Sequence, residues 1–322
     1  MNNSALKNER TDPATATDYI AILRVDHWFK NIFMLPGLAL ALIVKPTVDF
    51  YSLVTPFAIG LLSVCMIVSA NYSINEYLDA EFDRHHPLKK ARPAANREMS
   101  GTLVWLQWLV LAVFGIGLAL LLNVQFTVYA ITLLFMGVVY NVEPVRTKDK
   151  EYLDVLSESI NNPLRFLLGW SVIIDSSIPP SSILIAYWMG GAFLMAVKRF
   201  AEFRFINDRK LATSYRRSFK FYTENSLLLS ALFYALCSSL FLGIFLIKYR
   251  IEFLILFPFL AILFVWYLKI GLQADSVVQR PEKLYSEKKF MFFVALLGVL
   301  TGLLFVVDIP FLTFLLDQQS FK

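Results

Sequence analysis

Nine apolar runs, at about residues 31–48, 53–74, 102–121, 124–141, 154–174, 180–197, 225–247, 251–270 and 289–308, constrain this chain more than any other feature. Most approach the ~20 residues an α-helix needs to cross a bilayer core. In that core only helices or closed barrels satisfy their own backbone. With 57% hydrophobic residues among 322, the chain is expected to be all-α: a polytopic membrane protein, a bundle of about nine transmembrane helices. Residues 1–18 are polar and expected to be a disordered cytoplasmic N-terminus, and 19–322 a single transmembrane catalytic domain. Tyr19 to Lys30 reads as an amphipathic helix at the interface, anchored by Trp28.

The charges fix an orientation. Twenty-five of the thirty Lys and Arg fall before the first run or after runs two, four, six and eight, against Lys45, Lys248, Arg250 and Lys322 on the other side; Arg165 lies within run five. The positive-inside rule then places the N-terminus and every long loop in the cytoplasm and the C-terminus opposite. This use of the bases sets nucleic-acid binding aside. Cys65 and Cys237 each sit in an apolar run without the spacing of a metal or redox motif.

The stretch Asn75–Pro93, NEYLDAEFDRHHPLKKARP, follows directly on the second run. On a continuing helix Asn75, Asp79 and Asp83 recur at i, i+4 and i+8, and Glu76 falls on the same side, within an arc of about 100°. Four oxygen ligands on one face suit a hard cation such as Mg²⁺, which bridges substrate phosphates. His85, His86, Lys89, Lys90 and Arg92 follow as an anion-binding rim. A solvated cytoplasmic loop is the plainer reading of the same charges.

Run five carries a second polar set: Asp154, Glu158, Asn161 and Arg165 form one helical stripe, loosened by Pro163. Such groups face a cavity or one another rather than lipid, with Arg165–Glu158 as the structural pairing. Bases recur at Arg146, Lys148 and Lys150, and again in the loop after run six at Lys198, Arg199, Arg204 and Arg216. Charge alone leaves anionic substrate and anionic lipid as equal readings of these. The histidines are not at zinc spacing and no nucleophile motif is present, so the expected chemistry is displacement of a metal-bound diphosphate.

HWFKN from His27, the Asn75 stretch, Tyr140 with Lys148 and Asp154, PLRFLLG from Pro163, KRFAE from Lys198, RRSFKFYT from Arg216 and PEKL from Pro281 together resemble the UbiA-type membrane prenyltransferase superfamily. More narrowly they resemble its decaprenyl-phosphate phosphoribosyltransferase branch. Aromatic prenyltransferases of the superfamily carry a second Asp-rich motif after helix six, where this chain has KRFAEFR with one acid, Glu202. The resemblance implies a membrane-embedded glycosyltransferase in a bacterial inner membrane, serving cell-wall biosynthesis. It would transfer 5-phosphoribose from phosphoribosyl diphosphate to a polyprenyl phosphate, with Mg²⁺ held by Asn75, Glu76, Asp79 and Asp83. It further implies that Lys89, Arg92, Lys148, Lys198 and Arg199 hold phosphates, that Arg24 and Lys30 hold the lipid phosphate, and that Tyr140, Asp154, Arg165 and Glu202 line the substrates. The family motif has Asp where this chain has Glu76, one methylene longer. A UbiA-type transfer of a polyprenyl group to an aromatic acceptor, or lipid or anion transport, are the alternatives.

Overall fold

The computed structural model describes residues 12–249 and 251–313, and the regular elements among them are helical, apart from one isolated bridge between Pro13 and Glu98. In chain order the α-helices are α1 (Ala16–Ala21), α2 (Leu35–Val44), α3 (Phe50–Leu78), α4 (Ala80–Asp83), α5 (Pro93–Asn96), α6 (Gly101–Leu120), α7 (Val124–Asn141), α8 (Leu153–Ser159), α9 (Asn161–Ser171), α10 (Ser181–Ile206), α11 (Arg209–Tyr215), α12 (Glu224–Tyr249), α13 (Leu256–Gly271), α14 (Lys288–Val306) and α15 (Pro310–Thr313). Seven stretches among the described residues are long and apolar enough to cross a membrane: Ala16–Val44, Tyr51–Leu78, Gly101–Leu120, Val124–Asn141, Ser181–Ile206, Glu224–Tyr249 and Ile251–Gly271. The expected all-α, polytopic architecture is what the chain adopts. It divides into two compact units, Met1–Pro179 with Ile206–Thr223, and Pro180–Phe205 with Glu224–Lys322.

In the first unit α3 starts where the Asp49 carboxylate accepts the Ser52 N–H at 3.0 Å, and it packs against α6 and α7. Ser63, on a buried turn of α3, donates to the Gly115 carbonyl of α6 at 2.7 Å. Helices α2 and α9 nearly touch backbone to backbone. A Cβ at Gly169 would lie 1.9 Å from the Met34 carbonyl oxygen, and one at Gly37 would lie 1.9 Å from that of Phe166. Small residues permit this approach in a membrane, where lipid removes the hydrophobic drive for association.

Three local expectations give way. The N-terminal segment expected to be disordered lies outside the described residues up to residue 11, but α1 begins at Ala16 with Thr15 and Asp18 in a capping box. The single amphipathic helix over Tyr19–Lys30 is instead α1 and a 3-10 helix, Val25–Met34, separated by Arg24 at φ 52°. The tighter winding accompanies side-chain bonds to one stripe of α3: Trp28 Nε1 donates to Ser69 at 2.9 Å, Asn31 Nδ2 to the Cys65 sulfur at 3.2 Å, and Lys30 to the Tyr72 hydroxyl at 3.4 Å. Run five divides into α8 and α9 at Ile160, because Pro163 has no N–H for the Ser159 carbonyl.

In the second unit α10 runs to Ile206, so Lys198, Arg199, Glu202 and Arg204 lie on a helix and not in a loop. Ser238 of α12 donates to the Ala186 carbonyl of α10 at 2.9 Å. Phe193 of α10 meets Phe264 of α13 edge to face, with ring centres 4.9 Å apart.

Candidate active site

Where α3 ends, the backbone bends at Asp79 but keeps its i to i+4 bonds, Asp79 N–H to the Asn75 carbonyl at 3.0 Å and Asp83 N–H to that of Asp79 at 2.8 Å. The expected spacing of Asn75, Asp79 and Asp83 therefore survives into α4. Their surroundings differ from the expected face of free oxygen ligands. Asp79 Oδ1 accepts from Arg146 Nη2 at 2.9 Å and lies 2.6 Å from Lys148 Nζ. Asp83 Oδ2 accepts from Arg92 Nη1 at 2.7 Å. Glu76, 2% exposed, has Oε2 3.8 Å from Arg24 Nη1, and its Oε1 is buried without a hydrogen-bond partner. Among the described residues no three His, Cys, Asp or Glu side chains come together as a metal cage. In the structure the carboxylates of Glu76, Asp79 and Asp83, expected with Asn75 as a four-ligand set, each lie beside a base. Glu76 is turned to Arg24, and the two aspartates are each matched to bases that helical periodicity could not place.

Arg146 organises one side of this cluster. Its backbone has φ 26°, a conformation costing about 1–2 kcal/mol for a side-chain-bearing residue. Three bonds hold it there: to Asp79, to Asp149 at 3.0 Å and to the Asn141 carbonyl at 2.9 Å. Lys148, 3% exposed, also donates to Asn141 Oδ1 at 2.7 Å. Burial pushes the Lys148 ammonium down to about 8 against the pull of Asp79, with Arg146 adding to the fall. Burial alone would raise the Asp79 carboxyl, but Lys148 and Arg146 more than reverse it and hold it below the usual range. At Asp83 burial prevails over Arg92 and Lys89, and the carboxyl is raised.

On the other side, the 84–92 turn is built around His86, whose Nδ1 accepts the Leu88 and Lys89 N–H groups at 3.1 and 3.2 Å. Lys89 bonds the Tyr215 hydroxyl and lies over its ring, 4.6 Å from the centre. Tyr215 closes α11, and the next residues anchor on Asp154. That carboxylate is 0% exposed and accepts from Ser218 at 3.0 Å and Tyr222 at 2.7 Å, with Arg216 3.6 Å away.

The polar stripe of run five reaches partners on other segments. Asp154 engages the 216–222 segment, Glu158 accepts the Tyr140 hydroxyl at 2.8 Å, and Arg165 Nε donates to Asn31 at 3.1 Å. Arg24 and Lys30, expected at a lipid phosphate, bond within the unit, Arg24 to His27 and to Glu76, Lys30 to Tyr72. Lys198, Arg199 and Glu202 belong to the second unit, where Arg199 donates to Glu202 at 2.9 Å with both side chains buried. Sequence reasoning passed over Asn141 and Tyr215, and read Arg146 as one of several loop bases without placing it beside Asp79. A signal for Asn141 was available, a lone amide closing an apolar run next to Tyr140.

Residues 31–297 match the UbiA prenyltransferase family. Among curated proteins the chain is 34% identical over 164 residues to the uncharacterized protein y4nM of Sinorhizobium fredii, covering 51% of this chain and 30% of that protein. It is 32% identical over 190 residues to the nodulation protein NoeC of Azorhizobium caulinodans, covering 57% of each. The chain therefore spans less than two thirds of the length of these relatives. Decaprenyl-phosphate phosphoribosyltransferase of Mycobacterium tuberculosis is 25% identical over 209 residues, 65% of this chain and 67% of that one. A UbiA homolog from Archaeoglobus fulgidus bound to GPP and Mg²⁺ shares the fold with a TM-score of 0.66 at 20% identity, covering 90% of this chain and 100% of that one. A family match over most of the chain, on a helical membrane architecture of the same fold, makes this protein a member of the UbiA prenyltransferase family.

Proposed function

We propose that this protein catalyses Mg²⁺-dependent group transfer from a diphosphate donor, with a polyprenyl lipid as one of its two substrates, at the cytoplasmic face of a bacterial inner membrane. The observation that carries the reading is the interleaving of acids and bases at the end of α3: Asp79 with Arg146 and Lys148, Asp83 with Arg92. A metal diphosphate offers a cation to the one set and anionic oxygens to the other. The donor set fits the ion, since Mg²⁺ takes one or two carboxylates and completes its shell with water and substrate phosphates. Asn75, Asp79 and Asp83 would hold it, and bound there it would neutralise the departing diphosphate.

The remaining work falls to the chain. Arg146, Lys148, Lys89 and Arg92 exchange their present acceptors for phosphate oxygens, as charge-assisted bonds in a site largely shielded from water. Arg24 and Lys30, at the start of the first span, receive the lipid substrate's phosphate. Tyr140 and Glu158, bonded to each other, border the same cluster and limit how deeply the donor seats.

Two donors fit. GPP and Mg²⁺ in the Archaeoglobus fulgidus homolog support a prenyl diphosphate that passes its prenyl group to an aromatic acceptor, and the comparisons lean to that reading. Phosphoribosyl diphosphate, passing phosphoribose to a polyprenyl phosphate, is favoured by the match to the mycobacterial phosphoribosyltransferase and by KRFAE, whose one acid is paired with Arg199. A phosphate monoester acceptor is already anionic, so that reaction requires no strong general base.

The test supplies purified protein and Mg²⁺ with radiolabelled phosphoribosyl diphosphate and polyprenyl phosphate, and in parallel with a labelled prenyl diphosphate and an aromatic acid. Labelled lipid from the first arm assigns phosphoribosyl transfer, and a labelled aromatic product from the second assigns prenyl transfer. No product in either arm, with the protein intact, refutes the transferase reading and leaves transport.

A further inference from the structure

Asn75 has two amide hydrogens and one amide oxygen, and both hydrogens are used. Nδ2 donates to Asn141 Oδ1 at 2.5 Å and to Asp79 Oδ2 at 3.3 Å. Oδ1 is left as the atom that Asn75 presents, an oxygen of the kind a hard cation takes. Which way this amide faces depends on Asn141, and Asn141 is itself fixed. Its Nδ2 donates to the Gly137 carbonyl at 2.9 Å, while its Oδ1 accepts from Lys148 Nζ at 2.7 Å as well as from Asn75. Turned over, the Asn141 amide would set its NH₂ against an ammonium and a second NH₂, and its oxygen against a carbonyl. At 3% exposure, water offers little compensation for such a reversal.

The contact exists because α3 and α7 approach one turn earlier. A Cβ at Gly137 would fall 2.0 Å from Cγ of Asn71, so only glycine lets Asn71 cross there and donate to the Leu133 carbonyl at 3.0 Å. Asn71 with Gly137, then Asn75 with Asn141, are successive turns of the same helix pair.

We infer that Asn141 is a positioning residue. It fixes the Asn75 amide with its oxygen outward as a ligand for the cation of the diphosphate donor, and its own Oδ1 holds Lys148 next to Asp79. This rests on the Mg²⁺-dependent reaction proposed above. An outer partner that orients a ligand typically changes metal affinity by about 10- to 100-fold when removed.

The experiment measures Mn²⁺ binding by electron paramagnetic resonance to the full-length protein in detergent micelles, with inorganic diphosphate present. If the wild type binds no Mn²⁺, the Mg²⁺ reading itself fails. If it binds, Asn141→Leu, which removes the acceptor at similar volume, weakens binding by about tenfold or more. Asn141→Asp keeps acceptor oxygens for both donors and stays within a few-fold of wild type. In the Asn141→Leu background Asn75→Asp recovers the affinity, because a carboxylate presents oxygen in either rotation; a merely structural role for Asn141 would not be rescued this way. Wild-type affinity in Asn141→Leu overturns the inference, as does a double variant that elutes normally but fails to recover. Should Asn141→Leu not elute as a single species, Asn141→Ser, polar but too short to reach both donors, carries the same comparison.

Discussion

Replacing Asp154 with alanine separates two roles for a residue whose type and place in the sequence suggest contact with the substrate. In the structure its carboxylate is fully buried, accepting from Ser218 and Tyr222 with Arg216 at 3.6 Å, and Tyr222 in turn accepts the Tyr152 N–H at 2.6 Å. Alanine removes two hydrogen bonds to a charged acceptor, each about 1.5–3 kcal/mol, and takes a carboxylate from beside the Arg216 guanidinium. Breaking a buried pair by deleting one partner costs about 3–5 kcal/mol. Taking about 4 kcal/mol, the 216–222 segment should open about a thousandfold more often, since each 1.4 kcal/mol is a factor of ten. Hydrogen–deuterium exchange of the detergent-solubilised protein reads this directly in peptides covering 216–222 and Tyr152. Peptides from α6, which carries none of the Asp154 partners named above, should exchange as before. Asp154→Asn, which retains an acceptor oxygen, should accelerate exchange far less. Unchanged exchange in Asp154→Ala together with lost activity would refute the reasoning and return Asp154 to the substrate.

Asp79→Ala with Asp83→Ala should lower turnover by more than about 100-fold while the helical circular dichroism persists, because positioning and leaving-group stabilisation are lost together. Gly169→Ala drives a methyl into the Met34 carbonyl and should destabilise the protein by about 1–3 kcal/mol, seen as a lower unfolding midpoint in micelles, with a normal midpoint counting against the α2–α9 contact. Lys148 sits at about 8, so it is charged below that pH and neutral above it. With kcat/KM following the free enzyme, activity should fall as pH rises past about 8, and Lys148→Arg, which keeps its charge, should remove that alkaline limb.

Helical spacing and the run of apolar residues carried the architecture and the register of Asn75, Asp79 and Asp83, because both are local properties of one strand of sequence. What periodicity could not carry is who sits opposite. Arg146 and Lys148 reach Asp79 from more than sixty residues away, and Arg92 reaches Asp83 only because the 84–92 turn folds back on His86. The break in run five was foreshadowed by Pro163, yet the partners that Asp154, Glu158 and Arg165 find on other segments, Tyr222, Tyr140 and Asn31, are tertiary contacts that no local pattern reports. The 3-10 winding of Val25–Met34 was hidden for the opposite reason. Its residues have ordinary helix propensity, and the bonds to Cys65, Ser69 and Tyr72 that accompany the tighter turn involve atoms no local pattern reports.

Under the proposed reaction, the pairing of acids with bases bears on the order in which charge enters the site. A bare diphosphate drawing Lys148 and Arg146 away would leave the half-buried Asp79 without its two nearest counter-charges, a loss that burial enlarges. A bare cation drawing Asp79 and Asp83 away would leave Lys148, already pushed down by burial, with less to hold its proton, and Arg92 without Asp83. A metal diphosphate satisfies both sets in one event, so each half of the donor favours the other, and by linkage the coupling is equal in both directions. The buried carboxylate of Glu76 lies near both Arg92 and Arg24, the latter 3.8 Å away, so Glu76 also ties the N-terminal segment to α3.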